Sequence, residues 1–121
     1  MEADISSVAS PEWIVHLCPR PDWEVAQQQG GYRANSLESE GFIHCSRPGQ
    51  IVAVANQFYH AIPNLILLWI DPRAVRAEIR WEPVAEQLFP HIYGILNLDA
   101  VCSVSDFLPD ADGFFHQAPG L

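Results

Sequence analysis

Trp13, Val15 and Leu17 fall on one face of an extended segment at residues 13–18, and Ile14, His16 and Cys18 on the other. This alternation predicts a strand with a core side and a site side. Pro19 ends it, and a short helix follows over residues 21–29, with Pro21 at its start, acids in its first turn and Gly30-Gly31 as its stop. Tyr32 opens a connector, and residues 36–40 add one helical turn that Gly41 closes. Residues 41–46 read as a second short strand, with Ile43 and Cys45 towards the core and Phe42, His44 and Ser46 towards a cleft. Ile51, Val54, Ala55 and Phe58 then recur at one-face spacing, which predicts a longer helix within residues 47–59 for which Ser46 is the N-cap. Past the turn signal Pro63-Asn64, residues 65–70 form a continuous apolar run, the pattern of a central strand covered on both faces. Asp71-Pro72 terminates that run, and residues 77–82 alternate as a half-exposed strand. Pro83 and Pro90 bracket an expected loop or helical turn at residues 84–89, ahead of residues 91–94. A last strand is expected at residues 100–105, before an acidic, turn-rich segment at 109–113. Short strands with two or three helices and no regular alternation of the two predict an α+β fold rather than a doubly wound sheet.

Length and charge narrow the partners. The 121 residues are 49% apolar, without a long apolar run or a charged-then-apolar leader. That predicts a single soluble domain over residues 1–121 with an ordered core at about 12–108, frayed ends and no membrane partner. Three cysteines without a C-x-x-C pair do not make a disulfide framework, and a reducing, cytoplasmic location is expected. The formal charge is −9, and all six basic residues are arginines. Nucleic acid is excluded as a partner on that ground, although a local pair of arginines could hold one small phosphate ligand.

Three chemistries compete for the polar residues. His16-x-Cys18 and His44-Cys45 invite zinc, but the four-ligand spacing is missing, and adjacent residues of a strand diverge, so no metal is expected. A cysteine nucleophile with a histidine base would place Cys18 near His16 and His44, without a local motif to single it out. The third reading sets His16 and His44 on neighbouring strands around one cleft, with an anion-friendly helix start after Ser46 and Tyr32, Tyr59, His91 or Tyr93 as walls. Gln50 and Asn56 could face that cleft or water. His60 and His116 read as surface residues, and Asp71 and Glu82 as strand-end or solvent carboxylates.

The ordered motifs His16-Leu17-Cys18, Trp23, Gly41 through Ser46, Gln50, Ala55-Asn56, Phe58-Tyr59, Ile70-Asp71, Trp81-Glu82 and Phe89 through Gly94 together resemble domain-of-unknown-function family 952, over about residues 13–107. That family is in turn similar to the ADP-ribosyltransferase superfamily, with the RNA 2′-phosphotransferase branch nearest. The resemblance implies two small, roughly perpendicular antiparallel or mixed sheets forming a cleft for NAD. Carried over by position, His16 would hold the NAD ribose and His44 would pack by the nicotinamide. The third position of that superfamily, a glutamate, falls near His91 or Tyr93, where no Glu stands. The implied site therefore has His16, His44 and His91 as catalytic candidates, and Cys18, Tyr32, Ser46, Gln50, Asn56, Tyr59 and Tyr93 as contacts to NAD or an ADP-ribose-like small molecule. If the protein is an enzyme, it is an NAD-dependent transferase of ADP-ribosyl or phosphoryl groups. The alternative is a ligand-binding or protein-interaction module that keeps the fold without the chemistry.

Overall fold

The computed structural model describes residues 12–118, so the frayed N-terminal end expected before residue 12 lies outside the described residues. Strand β1 (Ile14–Pro19) leads into helix α1 (Arg20–Gln29), which Gly30 ends in the left-handed conformation. Strand β2 (Gly31–Tyr32), the single turn α2 (Asn35–Ser39) and strand β3 (Ile43–His44) follow. A 3₁₀ turn (Pro48–Gln50) opens into helix α3 (Ile51–Phe58). The remaining strands are β4 (Leu65–Ile70), β5 (Glu78–Val84), β6 (Gln87–Tyr93), β7 (Leu96–Asn97) and β8 (Val101–Asp106).

The strands make three antiparallel sheets rather than two, ordered β1-β4-β8, β2-β7 and β3-β6-β5. The α+β class is as the sequence predicts. The additional sheet consists of the two-residue segments after α1 and after β6, which pair with each other, Gly31 against Asn97 and Tyr32 against Leu96. Gly31 is needed there: a Cβ would come within 2.8 Å of Ile95 Cγ2.

Strand β4 is central and buried on both faces, as its unbroken apolar run requires. Ile66, Leu68 and Ile70 join Ile14, Cys18, Ala26, Tyr32, Ile43, Cys45, Ile92 and Leu96 on one face. Leu65, Leu67 and Trp69 join Val15, Leu17, Ile51, Ala55, Phe107 and Phe115 on the other. The polar "site side" expected for β1 is therefore internal, since every residue from Ile14 to Cys18 is buried. A backbone bridge couples the first sheet to the segment after β3, Val15 N to Ser46 O at 2.8 Å and Ser46 N to Val15 O at 2.9 Å.

Residues 84–89 form a hairpin, not a loop or helical turn. β5 and β6 pair from Glu78 opposite Tyr93 to Val84 opposite Gln87, and the two turn residues, Ala85 (φ 50°) and Glu86 (φ 70°), both have positive φ. Both prolines sit inside strands. Pro83 is on an edge strand, and the Pro90 carbonyl accepts from Cys45 N at 3.1 Å, so the N–H it lacks falls where β3 runs out.

The acidic C-terminal stretch is folded back rather than frayed. Asp110 Oδ1 accepts from Asp112 N and Phe114 N, and Phe115, only 1% exposed, enters the core beside Phe107. Burying that ring favours docking by about 2 kcal/mol.

Candidate functional site

A cavity of about 510 Å³ opens where β3, β6, the hairpin and α3 meet, lined by His44, Cys45, Ser46, Val54, Phe58, Tyr59, Val84, Phe89 and His91. Helix α3 explains its apolar wall. Ile51 and Ala55 enter the core, while Val54 is half-buried and Phe58 is 66% exposed, so the predicted single apolar face divides between core and cavity. The opposite wall carries the imidazoles of His44 and His91, directly opposed in the β3–β6 register with ring centroids 5.3 Å apart. His91 is buried and His44 exposed. Phe42 stacks on His91 at 4.2 Å and lies 4.7 Å from His44, giving the two rings a shared aromatic neighbour.

Each of these imidazoles meets a carboxylate. His91 Nδ1 donates to Glu82 Oε1 at 2.7 Å, and Tyr93 OH donates to the same oxygen at 2.7 Å. The two hydrogen bonds, from Tyr93 first and His91 second, hold the Glu82 carboxyl below the usual range. The Arg80 guanidinium lies over the Tyr93 ring at 4.1 Å and pairs with Glu78. His44 Nε2 lies 3.2 Å from both oxygens of Glu40. Sequence reasoning took Glu82 for a strand-end or solvent carboxylate and gave Glu40 no role. The alternation Glu78, Arg80, Glu82 did carry the signal for Glu82, but reading residues 84–89 as a loop removed the hairpin that sets it beside His91.

His16 does not reach this cavity. Its Nδ1 donates to the His44 carbonyl at 2.5 Å and its Nε2 accepts from Tyr32 OH at 2.8 Å, in the seam between the sheets. Burial lowers its pKa to about 4, so the ring is neutral at physiological pH. Cys18 and Tyr32 lie in the same buried seam, which corrects their assignment as ligand contacts. Burial pushes the Cys18 thiol up to about 11 and raises the Tyr32 hydroxyl as well. Cys45 lines the cavity, but burial pushes its thiol up too, which leaves no activated thiolate there.

Three further corrections concern polar residues that the fold itself uses. Ser46 lines the cavity but caps nothing: the 3₁₀ turn begins after Arg47, whose N–H donates to Gln50 Oε1 at 2.8 Å. Of the amides expected to form an anion-friendly helix start after Ser46, that of Arg47 is taken by Gln50 Oε1 and that of Gln50 by Arg47 O, and Pro48 has none. Gln50 spends its amide group on Gln87 Oε1 and Leu88 O, tying the turn to the hairpin tip. Asn56 is fully engaged with the backbone of Phe115, donating at 2.9 Å and accepting at 2.7 Å. Tyr59 lines the cavity, and Tyr93 stands behind His91 through Glu82.

Among the described residues, no group of three or more His, Cys, Asp or Glu is placed to hold a metal ion, and no helix is long and apolar enough to cross a membrane.

Comparison with known proteins bears on the family. The crystal structure of protein CC0527 from Caulobacter crescentus is 28% identical, with a TM-score of 0.79 over 86% of this chain and 93% of that one. The solution NMR structure of CC0527 gives a TM-score of 0.73 over 85% and 90% of the two chains, at 28% identity. A search of curated proteins returned no match. Residues 17–104 match the family model described as Protein of unknown function (DUF952), and the chain belongs to that family.

Proposed function

We propose that this protein binds a nucleotide-like small molecule, NAD or an ADP-ribose-like metabolite, in the cavity between α3 and the β3-β6-β5 sheet. The observation that carries this reading is the division of the lining into an apolar wall of Val54, Phe58, Tyr59, Val84 and Phe89 and a polar edge of two imidazoles. A wall of that kind suits a flat base, and the imidazoles suit ribose hydroxyl or phosphate oxygens. The volume of about 510 Å³ is of the size that small-molecule sites have.

The resemblance to ADP-ribosyltransferases called for a carboxylate near His91 or Tyr93. Glu82, from the neighbouring strand, stands 2.7 Å from a polar atom of each. A buried His91 hydrogen-bonded to a half-buried Glu82 beside a cavity is the kind of arrangement that supports chemistry, and it favours an enzyme over a module that only binds.

Calorimetric titration with NAD and with ADP-ribose tests the reading. Saturable binding that His44→Ala weakens about tenfold, the loss of one good polar contact, is the expected result. Absence of heat at millimolar ligand, or affinity untouched by His44→Ala, contradicts it.

A further inference from the structure

Besides the Ser46 hydroxyl the cavity carries four titratable side chains, and burial raises the two that are not imidazoles, Cys45 and Tyr59, so that both stay protonated. Proton traffic at this site falls to His44 and His91. The carboxylates fix which nitrogen of each ring is available. A carboxylate only accepts, so the neutral rings carry their protons on His91 Nδ1 and His44 Nε2, facing Glu82 and Glu40. The lone pairs are left on His91 Nε2 and His44 Nδ1, neither of which has a hydrogen-bond partner among the described residues. The rings meet edge to face, at 73° and 5.3 Å, and Tyr93 steadies Glu82 from behind.

We infer, building on the reading of the cavity as a nucleotide site, that the two imidazoles are an acid–base pair acting on a phosphate ester, with Glu82 as the positioning residue for His91. A second imidazole acts as a general acid only when the leaving atom needs a proton. Nicotinamide departs from NAD as a neutral ring and needs none, whereas a ribose oxygen leaving phosphorus does. For a ribose 2′,3′-cyclic phosphate, water attacks phosphorus and a P–O bond forms, while the proton of the water passes to His91 Nε2. The P–O bond to one ribose oxygen breaks, and that oxygen takes a proton from Nδ1 of His44, which enters the step as the imidazolium with its other proton held towards Glu40. The phosphomonoester leaves, and His91 returns its proton to solvent as His44 regains one.

The groups facing the pair are Glu82 and Arg80 on β5, Glu40 at the end of α2, and Phe42 and Tyr93; the two carboxylates hydrogen-bond the imidazoles, and Phe42 packs against both rings. The test is hydrolysis of adenosine 2′,3′-cyclic phosphate by the wild-type protein and by Glu82→Gln between pH 5 and 9, followed by phosphorus NMR. Amide shifts on the same samples report binding in the cavity. The expected result is ring opening with a bell-shaped pH profile. In Glu82→Gln, kcat falls roughly tenfold to a hundredfold at unchanged KM, and the acid limb moves to lower pH because the His91 imidazolium has lost its counter-charge. Binding of the probe in the cavity without ring opening overturns the inference, as does a variant with the wild-type rate and profile. No binding at all overturns the nucleotide reading beneath it. Ring-nitrogen NMR of the ligand-free wild type is independent of any variant's folding. A proton on His91 Nδ1 and on His44 Nε2 supports the pair, and the opposite tautomers overturn it.

Discussion

His16 is the residue for which pattern and packing part most clearly. Alternation put it correctly on the face opposite Val15 and Leu17, but nothing local says that this face is roofed by Tyr32, Ile43 and Ile92. Its contribution is to stability, and the sign follows from its folded pKa of about 4 against the ordinary value of 6.5. Between those values the unfolded chain takes up a proton that the folded protein refuses. Stability that is complete above pH 6.5 is therefore lost as pH falls towards 4, by up to about 3 kcal/mol. Denaturant unfolding at pH 7 and pH 4.5 measures this, and His16→Asn should remove that part of the pH dependence; an unchanged dependence would assign it to other groups. Tyr32→Phe strips His16 Nε2 of its donor inside the protein and should cost about 1–3 kcal/mol in the same assay. Glu82 shows the converse: its place at the site needs a hairpin partner, and no single-residue signal announces that.

At the scale of elements, the legible ones were those with an unbroken pattern. The six-residue apolar run became β4, and the proline start with its glycine stop became α1. The β5–β6 hairpin was hidden for two physical reasons: prolines lie inside both strands, and its turn is made by Ala85 and Glu86, residues that seldom adopt positive φ. That turn stores strain, so the double change Ala85→Asn and Glu86→Gly, which supplies the residue types such a turn favours, should raise stability by about 1 kcal/mol in thermal unfolding. A lowered melting temperature would mean the turn has another conformation. The docked tail was hidden because its anchor is a side chain 59 residues away: Asn56 engages the Phe115 backbone through two hydrogen bonds. Asn56→Ala should cost roughly 2 kcal/mol and open the Phe115 amide to hydrogen exchange. Protection of that amide in the variant would show that Phe115 burial alone holds the tail.

Across the whole molecule, three small sheets and one amphipathic helix leave a well-lined hollow beside an otherwise internal histidine seam. Among the described residues no arginine lines it, so the positive charge it can offer a phosphate comes from His44 and His91, in a protein of formal charge −9. The measurement that tests the account most directly is a titration of the isotope-labelled protein with ADP-ribose, followed by amide chemical shifts. The account predicts saturable shifts at His44, Cys45, Ser46, Tyr59, Phe89 and His91, with the amides of α1 unmoved. Shifts gathered away from those residues, or none at millimolar ligand, would contradict it.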